Sequence, residues 1–187
     1  MYWFLIPLLL GFALGGASAF TAAYTRRWGE GGGQMVTMIL RNILGIPLWI
    51  TGFVLAWLAP APLLFTPSAA TQMLGWLLIA AGSIPVIWGH LALGRRTHMP
   101  SVKDTLVRHG LYAHVRHPIY AGALLIFVAL ALLRPTSAVV LASVVGFGWA
   151  MIQARLEELD LVQRLPAYRE YMEQVPRFVP RFGRRQL

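Results

Sequence analysis

Four stretches of this chain carry no charged side chain: residues 1–25, 42–94, 117–133 and 135–154. Nothing else in the sequence restricts the fold as strongly. A helix rises about 1.5 Å per residue, so about 20 apolar residues cross a bilayer core of about 30 Å. A soluble domain holds about a quarter charged residues, whereas this chain holds 12%. The expected fold class is therefore all-α, a polytopic membrane helix bundle.

Five transmembrane helices are expected. They run from Tyr2 to about Tyr24, from about Ile39 to Ala59, from about Gln72 to Leu93, from Pro118 to Leu133, and from about Thr136 to Ala154. Pro60, Pro62 and Pro67 divide the longest uncharged stretch, and the last helix continues into the tail. Arg26, Arg27 and Arg41 mark the first loop, and Arg95, Arg96, Lys103, Arg108 and Arg116 mark the third. The tail is rich in arginine, whereas the second loop holds no cation and the fourth only Arg134. The positive-inside rule then places the N-terminus outside and loops one and three and the C-terminus in the cytoplasm. This divides the chain into two accessory helices, 1–70, and a core, 71–187, of three spans with a cytoplasmic loop and tail.

Ala17-Ser18-Ala19 has the small-residue spacing of a signal-peptidase site. No basic side chain precedes it and the apolar run continues to Tyr24, so a retained helix is expected. The glycine-rich run 29–33 lacks the lysine and strand context of a phosphate loop and reads as a flexible connector. Gly11, Gly15, Gly16, Gly146 and Gly148 read as helix-packing positions.

Several chemistries are excluded or disfavoured. The chain has no cysteine, which removes disulfides, thiolate catalysis and zinc-thiolate sites. Its net charge of +9 comes mostly from arginines beside the spans. That pattern suits orientation in a bilayer and contact with anionic lipid rather than nucleic acid. His98, His109, His114 and His117 cluster in or beside loop three, but Pro118 disfavours helix at His117 and no nearby carboxylate completes a ligand set. No metal site is expected.

The stretch from Arg116 to Gly122, Arg-His-Pro-Ile-Tyr-Ala-Gly, joins this basic loop to a span. Pro118 suits the first helical turn, where its missing N–H costs nothing. The helix N-terminus favours an anionic group, and Arg116 and His117 add charge and donors there. Taken alone, these residues also read as an interface anchor, with Tyr112 and Tyr120 as an aromatic belt. Glu157-Glu158 changes the balance. His117 lies 18 residues before Pro135 and Gln153 lies 18 after it. An antiparallel hairpin therefore puts Glu157 about one turn beyond the level of His117. The two glutamates point about 100° apart, so one is expected to face the hairpin and the other Arg155, Arg164 or solvent. Tyr168 and Tyr171 share a helical face, and the segment through Pro176 and Pro180 is expected to cover loop three.

Leu106-Val107-Arg108-His109-Gly110-Leu111-Tyr112, the Arg116–Gly122 run, Glu157-Glu158, Tyr168 with Tyr171, and Val175-Pro176-Arg177-Phe178 occur in that order. Together they resemble isoprenylcysteine carboxyl methyltransferase-like enzymes, which are related to phospholipid methyltransferases. The resemblance covers about residues 75–182. It implies S-adenosylmethionine as methyl donor, held in a cytoplasm-facing pocket. It also implies Arg116, His117 and Glu158 as catalytic residues. Leu106, Val107, Gly110, Tyr112, His117, Pro118, Tyr120, Gly122, Glu157 and Glu158 would shape the donor pocket. The implied acceptor is a lipophilic or small carboxylate, amine or thiol, reached from the bilayer. Leu165-Pro166 stands where the family often has Phe-Gly. An NADPH-dependent membrane reductase on a related scaffold and a non-catalytic small membrane protein are the competing readings. His90 is the main polar exception within the spans.

Overall fold

The computed structural model describes residues 2–180. Arg181, Arg184 and Arg185, and with them the end of the expected core, lie outside the described residues. The described chain is helical: α1 Leu5–Ala17, α2 Thr21–Met38, a π-helical turn Ile39–Gly45, α3 Ile46–Leu58, α4 Ala69–Leu93, α5 Pro118–Leu133, α6 Ser137–Arg164 and α7 Tyr168–Gln174. Short 3₁₀ turns occupy Gly94–Thr97 and Gly110–Ala113.

Three helical stretches, Thr21–Leu58, Ala69–Thr97 and Ser137–Arg164, are long and apolar enough to cross a membrane. Leu5–Ala17 and Pro118–Leu133 are apolar but shorter. Trp76, Leu77, Ile84, Trp88 and Leu91 point outward from α4. Such a surface suits lipid, where helices satisfy their own backbone groups. The chain is a membrane protein.

Local chemistry sets the helix limits. Ser68 and Thr71 form a reciprocal capping box at the start of α4, with Thr71 N–H donating to Ser68 Oγ at 3.2 Å and Ser68 N–H to Thr71 Oγ1 at 2.9 Å. Thr136 caps α6 by accepting from Val139 N–H. Pro118 opens α5.

The expected single helix from Tyr2 to Tyr24 is corrected: it breaks between Ala17 and Thr21. Ser18 Oγ donates to Gly15 O at 2.6 Å, and Asp160 Oδ1 on α6 accepts from Ala22 N–H at 2.7 Å. The new helix start is thus capped by a carboxylate 138 residues away in sequence. The glycine-rich run is also corrected, from a connector to part of α2. Gly29, at φ 71°, makes a kink that other residues disfavour, and Gly33 packs against Thr25.

Antiparallel α4 and α5 form the closest helix pair. Gly75, Gly82 and Gly89 recur every seven residues and meet Leu133, Gly122 and Ile119 respectively. A Cβ on Gly82 would lie 2.6 Å from the Gly122 carbonyl oxygen, so the two backbones touch. Small residues serve this purpose where lipid supplies no hydrophobic drive between helices. Gly11, Gly16 and Gly146 likewise sit against neighbouring helices, whereas Gly15 and Gly148 meet nothing within 4 Å.

The two cation-poor loops meet at one end of the bundle. Leu64 N–H donates to Pro135 O at 2.8 Å and Ser137 N–H to Pro62 O at 2.9 Å. Loop three, α7 and the end of α6 gather at the other.

Candidate functional site

At this second end, Glu158 is 1% exposed and surrounded by cations. Its Oε1 accepts from Arg116 Nη2 at 2.9 Å, Arg116 Nε at 3.1 Å and Arg177 Nε at 3.0 Å; His117 Nε2 stands 3.2 Å away. Its Oε2 accepts from Arg177 Nη2 at 2.6 Å, with Arg155 3.8 Å away. Bonding to this carboxylate raises the Arg177 pKa above its usual value.

The same arginines fasten the tail. Arg116 Nη1 donates to Met172 O at 2.7 Å and also to Val175 O. Backbone N–H groups of Arg116 and His117 donate to Pro176 O and Arg177 O. Tyr171 OH donates to Tyr112 O, and Arg108 Nη2 to Ala167 O at 2.9 Å. Burial pushes the Tyr171 phenol up to about 12, and raises Tyr112 and Tyr168 as well. The expected cover over loop three is thus a hydrogen-bonded strap.

Glu157, one residue earlier, has different surroundings. Its Oε1 accepts from Tyr120 OH at 2.6 Å, Arg41 Nη2 at 3.3 Å and Gln153 Nε2 at 3.3 Å. Arg41 projects from the π-helical turn, and it also donates to Thr97 O at 2.9 Å and Ser18 Oγ at 3.2 Å. Local widening of this kind is frequent at functional sites. Sequence reasoning used Arg41 only for orientation. Its neighbours carry no motif, and its contact with Glu157 spans 116 positions.

Glu157 lines a cavity of about 680 Å³. Cofactor sites commonly measure about 300–1,000 Å³. Leu106, Val107, Tyr112, Arg116, His117 and Tyr120 line it too, so most of the sequence-selected residues come together. Glu158, Gly110, Pro118 and Gly122 are not among its lining residues. Gly122 faces Gly82, Gly110 turns loop three at φ 61°, and Pro118 is buried at the start of α5.

The cavity continues between the helices into an aromatic slot. Phe12 stacks on Trp49 and Trp149 at 6.3 and 5.5 Å, and Phe53 on Phe127 at 5.2 Å, all five lining the wall. The N-terminal helices supply three of these rings.

A second ionic cluster flanks the polar end. Arg164 Nε pairs with Asp160 Oδ2 at 2.5 Å, and Arg164 Nη1 donates to Ser101 O at 2.6 Å. Ser101 Oγ donates to Glu30 Oε1, whose other oxygen pairs with Lys103. Arg164, which the sequence offers to one of the paired glutamates, is thus paired with Asp160 instead. Among the described residues, no group of three His, Asp or Glu side chains is placed to hold a metal ion.

Four lining residues carry a buried polar atom without a partner: Asn42 Oδ1, Thr97 Oγ1, Gln153 Oε1 and Tyr168 OH. Each such atom costs about 1–3 kcal/mol. A ligand rich in hydroxyl, amino and carboxylate groups carries the kinds of donor and acceptor these atoms lack.

A helical membrane protein with a polar-to-aromatic cavity inside the bundle is the class these features define. Residues 70–167 match the phospholipid methyltransferase family. The chain belongs to that family, as the resemblance of its motifs implied. It is 30% identical over 148 residues to methanethiol S-methyltransferase 2 of Bradyrhizobium diazoefficiens, covering 75% of this chain and 52% of that protein. It is 28% identical over 153 residues to the cobalt-zinc-cadmium resistance protein CzcN of Cupriavidus metallidurans, covering 80% of this chain and 62% of that one. The chain thus spans less than two thirds of the length of either relative. No solved structure matches it.

Proposed function

We propose that this membrane protein uses S-adenosylmethionine to methylate a small or lipophilic acceptor, with a thiol as the leading acceptor class. One observation carries the reading: a polar pocket edged by Glu157, Tyr120 and Arg41 opens into an aromatic slot, within a methyltransferase-family chain. The likeness to a methanethiol S-methyltransferase supports a thiol ahead of carboxylates and amines.

S-adenosylmethionine, when bound, supplies an electrophilic methyl group on a sulfonium. Glu157 receives the donor's amino group or ribose hydroxyls. Arg41 and Arg116 receive its carboxylate, where charge-assisted bonds are strongest. Leu106, Val107 and Tyr112 line the pocket beside it, and the first turn of α5 contributes Tyr120. Glu158 acts by position: it holds Arg116, His117 and Arg177 and keeps the strap closed. The aromatic slot orients the acceptor and excludes water, which is the main task when the donor is already reactive. The arginine-rich loops support a cytoplasmic-facing pocket in a multi-pass protein.

Calorimetric titration of the full chain in detergent tests the reading. S-adenosylmethionine and S-adenosylhomocysteine are expected to bind, Glu157→Gln to weaken both, and NADPH not to bind. Absence of donor binding by the parent sinks the proposal, and NADPH binding in its place supports the reductase.

A further inference from the structure

His90 is a polar residue on an otherwise apolar stretch of α4, and the donor pocket described above makes no use of it. It lines the same cavity. Gly89 packs on Ile119, so His90 stands at the level of the first turn of α5, the turn that carries Tyr120. Its Nδ1 is 2.8 Å from Val86 O. A carbonyl oxygen only accepts, so the ring proton resides on Nδ1, and in the neutral ring Nε2 bears the lone pair. Among the described residues Nε2 has no hydrogen-bond partner, and it is not one of the buried unpartnered atoms. On a residue that lines the cavity, Nε2 is thus an accessible base whose tautomer Val86 O fixes. Beyond it lies His98, exposed and with its ring 6.5 Å from that of His90, as a further titratable group toward the polar end.

We propose that His90 Nε2 is the proton acceptor of methyl transfer, and that the acceptor reaches the cavity as a neutral thiol. This inference rests on the methyl-transfer reading above. The chemistry balances. The thiol sulfur forms a bond to the methyl carbon, the old carbon–sulfonium bond leaves its electron pair on the donor sulfur, and the S–H proton passes to Nε2. One positive charge is consumed at the sulfonium and one appears on the imidazole. A carboxylate acceptor, already anionic, has no use for such a base. Positioned proton transfer contributes about 10²–10⁴-fold in rate.

His90→Asn and His90→Phe test it in the full chain. The Asn amide retains a donor for Val86 O but no ring base; Phe retains neither. With an alkanethiol, which stays protonated at neutral pH, both variants are expected to lose about 100-fold in turnover. With an aryl thiol already ionised at that pH, the loss is expected to stay within about threefold, because no proton remains to be taken. Added imidazole restores part of the alkanethiol activity of His90→Asn, and S-adenosylmethionine affinity is unchanged in both variants. Nitrogen-15 NMR of labelled histidine is expected to show the His90 proton on Nδ1 in the parent. Equal loss on both thiols, full alkanethiol activity in either variant, or a proton on Nε2 overturns the assignment while leaving donor binding intact. A parent that binds the donor but methylates neither thiol removes the thiol reading and this base together. A parent that does not bind the donor removes the methyl-transfer reading itself.

Discussion

The clamp around Glu158 and the cavity edge around Glu157 are built from adjacent carboxylates, yet they do opposite work. Glu158 is enclosed, with Arg116, Arg177 and His117 around its two oxygens. Glu157 is 20% exposed, and only its Oε1 takes part in the bonds to Tyr120, Arg41 and Gln153. One holds the protein's own strap; the other faces the cavity. Identical side chains acquire different tasks because a helix turns about 100° per residue. The facing elements then differ: the returning tail for Glu158, and the π-helical turn for Glu157.

The largest effect should come from the clamp. Glu158→Ala leaves the buried Arg116 without its counter-charge, a loss of about 3–5 kcal/mol. Thermal unfolding should drop sharply, and limited proteolysis should cut between Leu165 and Pro180. An unchanged cleavage pattern would show that the strap does not depend on Glu158. Next comes the cavity edge. Glu157→Gln should weaken S-adenosylmethionine by about 10–100-fold, the range for losing hydrogen bonds to a charged group, while the melting temperature stays within about 2 °C of the parent. If it melts as early as Glu158→Ala, the division between the two glutamates is wrong.

Tyr171→Phe probes the strap more gently. It removes the bond to Tyr112 O, costs about 1 kcal/mol and lowers the melting temperature by about 2–4 °C, with donor affinity retained. The smallest effect is expected at Lys103, whose pairing with Glu30 is on the surface. Lys103→Ala should change neither melting nor binding measurably. A large change there would make the second ionic cluster a true part of the site.

The contrast also shows what the sequence makes legible. Counting from Pro135 puts Glu157 about one turn beyond the level of His117, and the structure joins His117 to the neighbouring Glu158 at 3.2 Å. That worked because α5 and α6 form a short-linked hairpin, where separation along the chain converts directly into height. The register did not assign the two glutamates. The partner that encloses Glu158 is Arg177, brought back by a turn after α6. The break at residues 18–20 was hidden for a similar reason. The run is apolar throughout, and what caps the new helix start is Asp160, far along the chain. Motif reading also favoured the C-terminal half, although Phe12, Arg41, Trp49 and Phe53 line the same cavity. A lone arginine and scattered aromatics look like ordinary membrane-helix composition until tertiary contacts gather them.

The bond from Ala22 N–H to Asp160 sets an order of manufacture. Synthesis and membrane insertion run from the N-terminus, so α2 leaves the ribosome long before its capping carboxylate exists. Until α6 arrives, that helix start has no permanent partner, and the early helices wait for the late ones. Asp160→Asn should therefore impair maturation of newly made protein more than it lowers the melting temperature of protein already folded. Pulse-chase protease protection, compared with melting of the purified variant, would separate the two. Equal effects in both measurements would mean that the contact matters only after folding is complete.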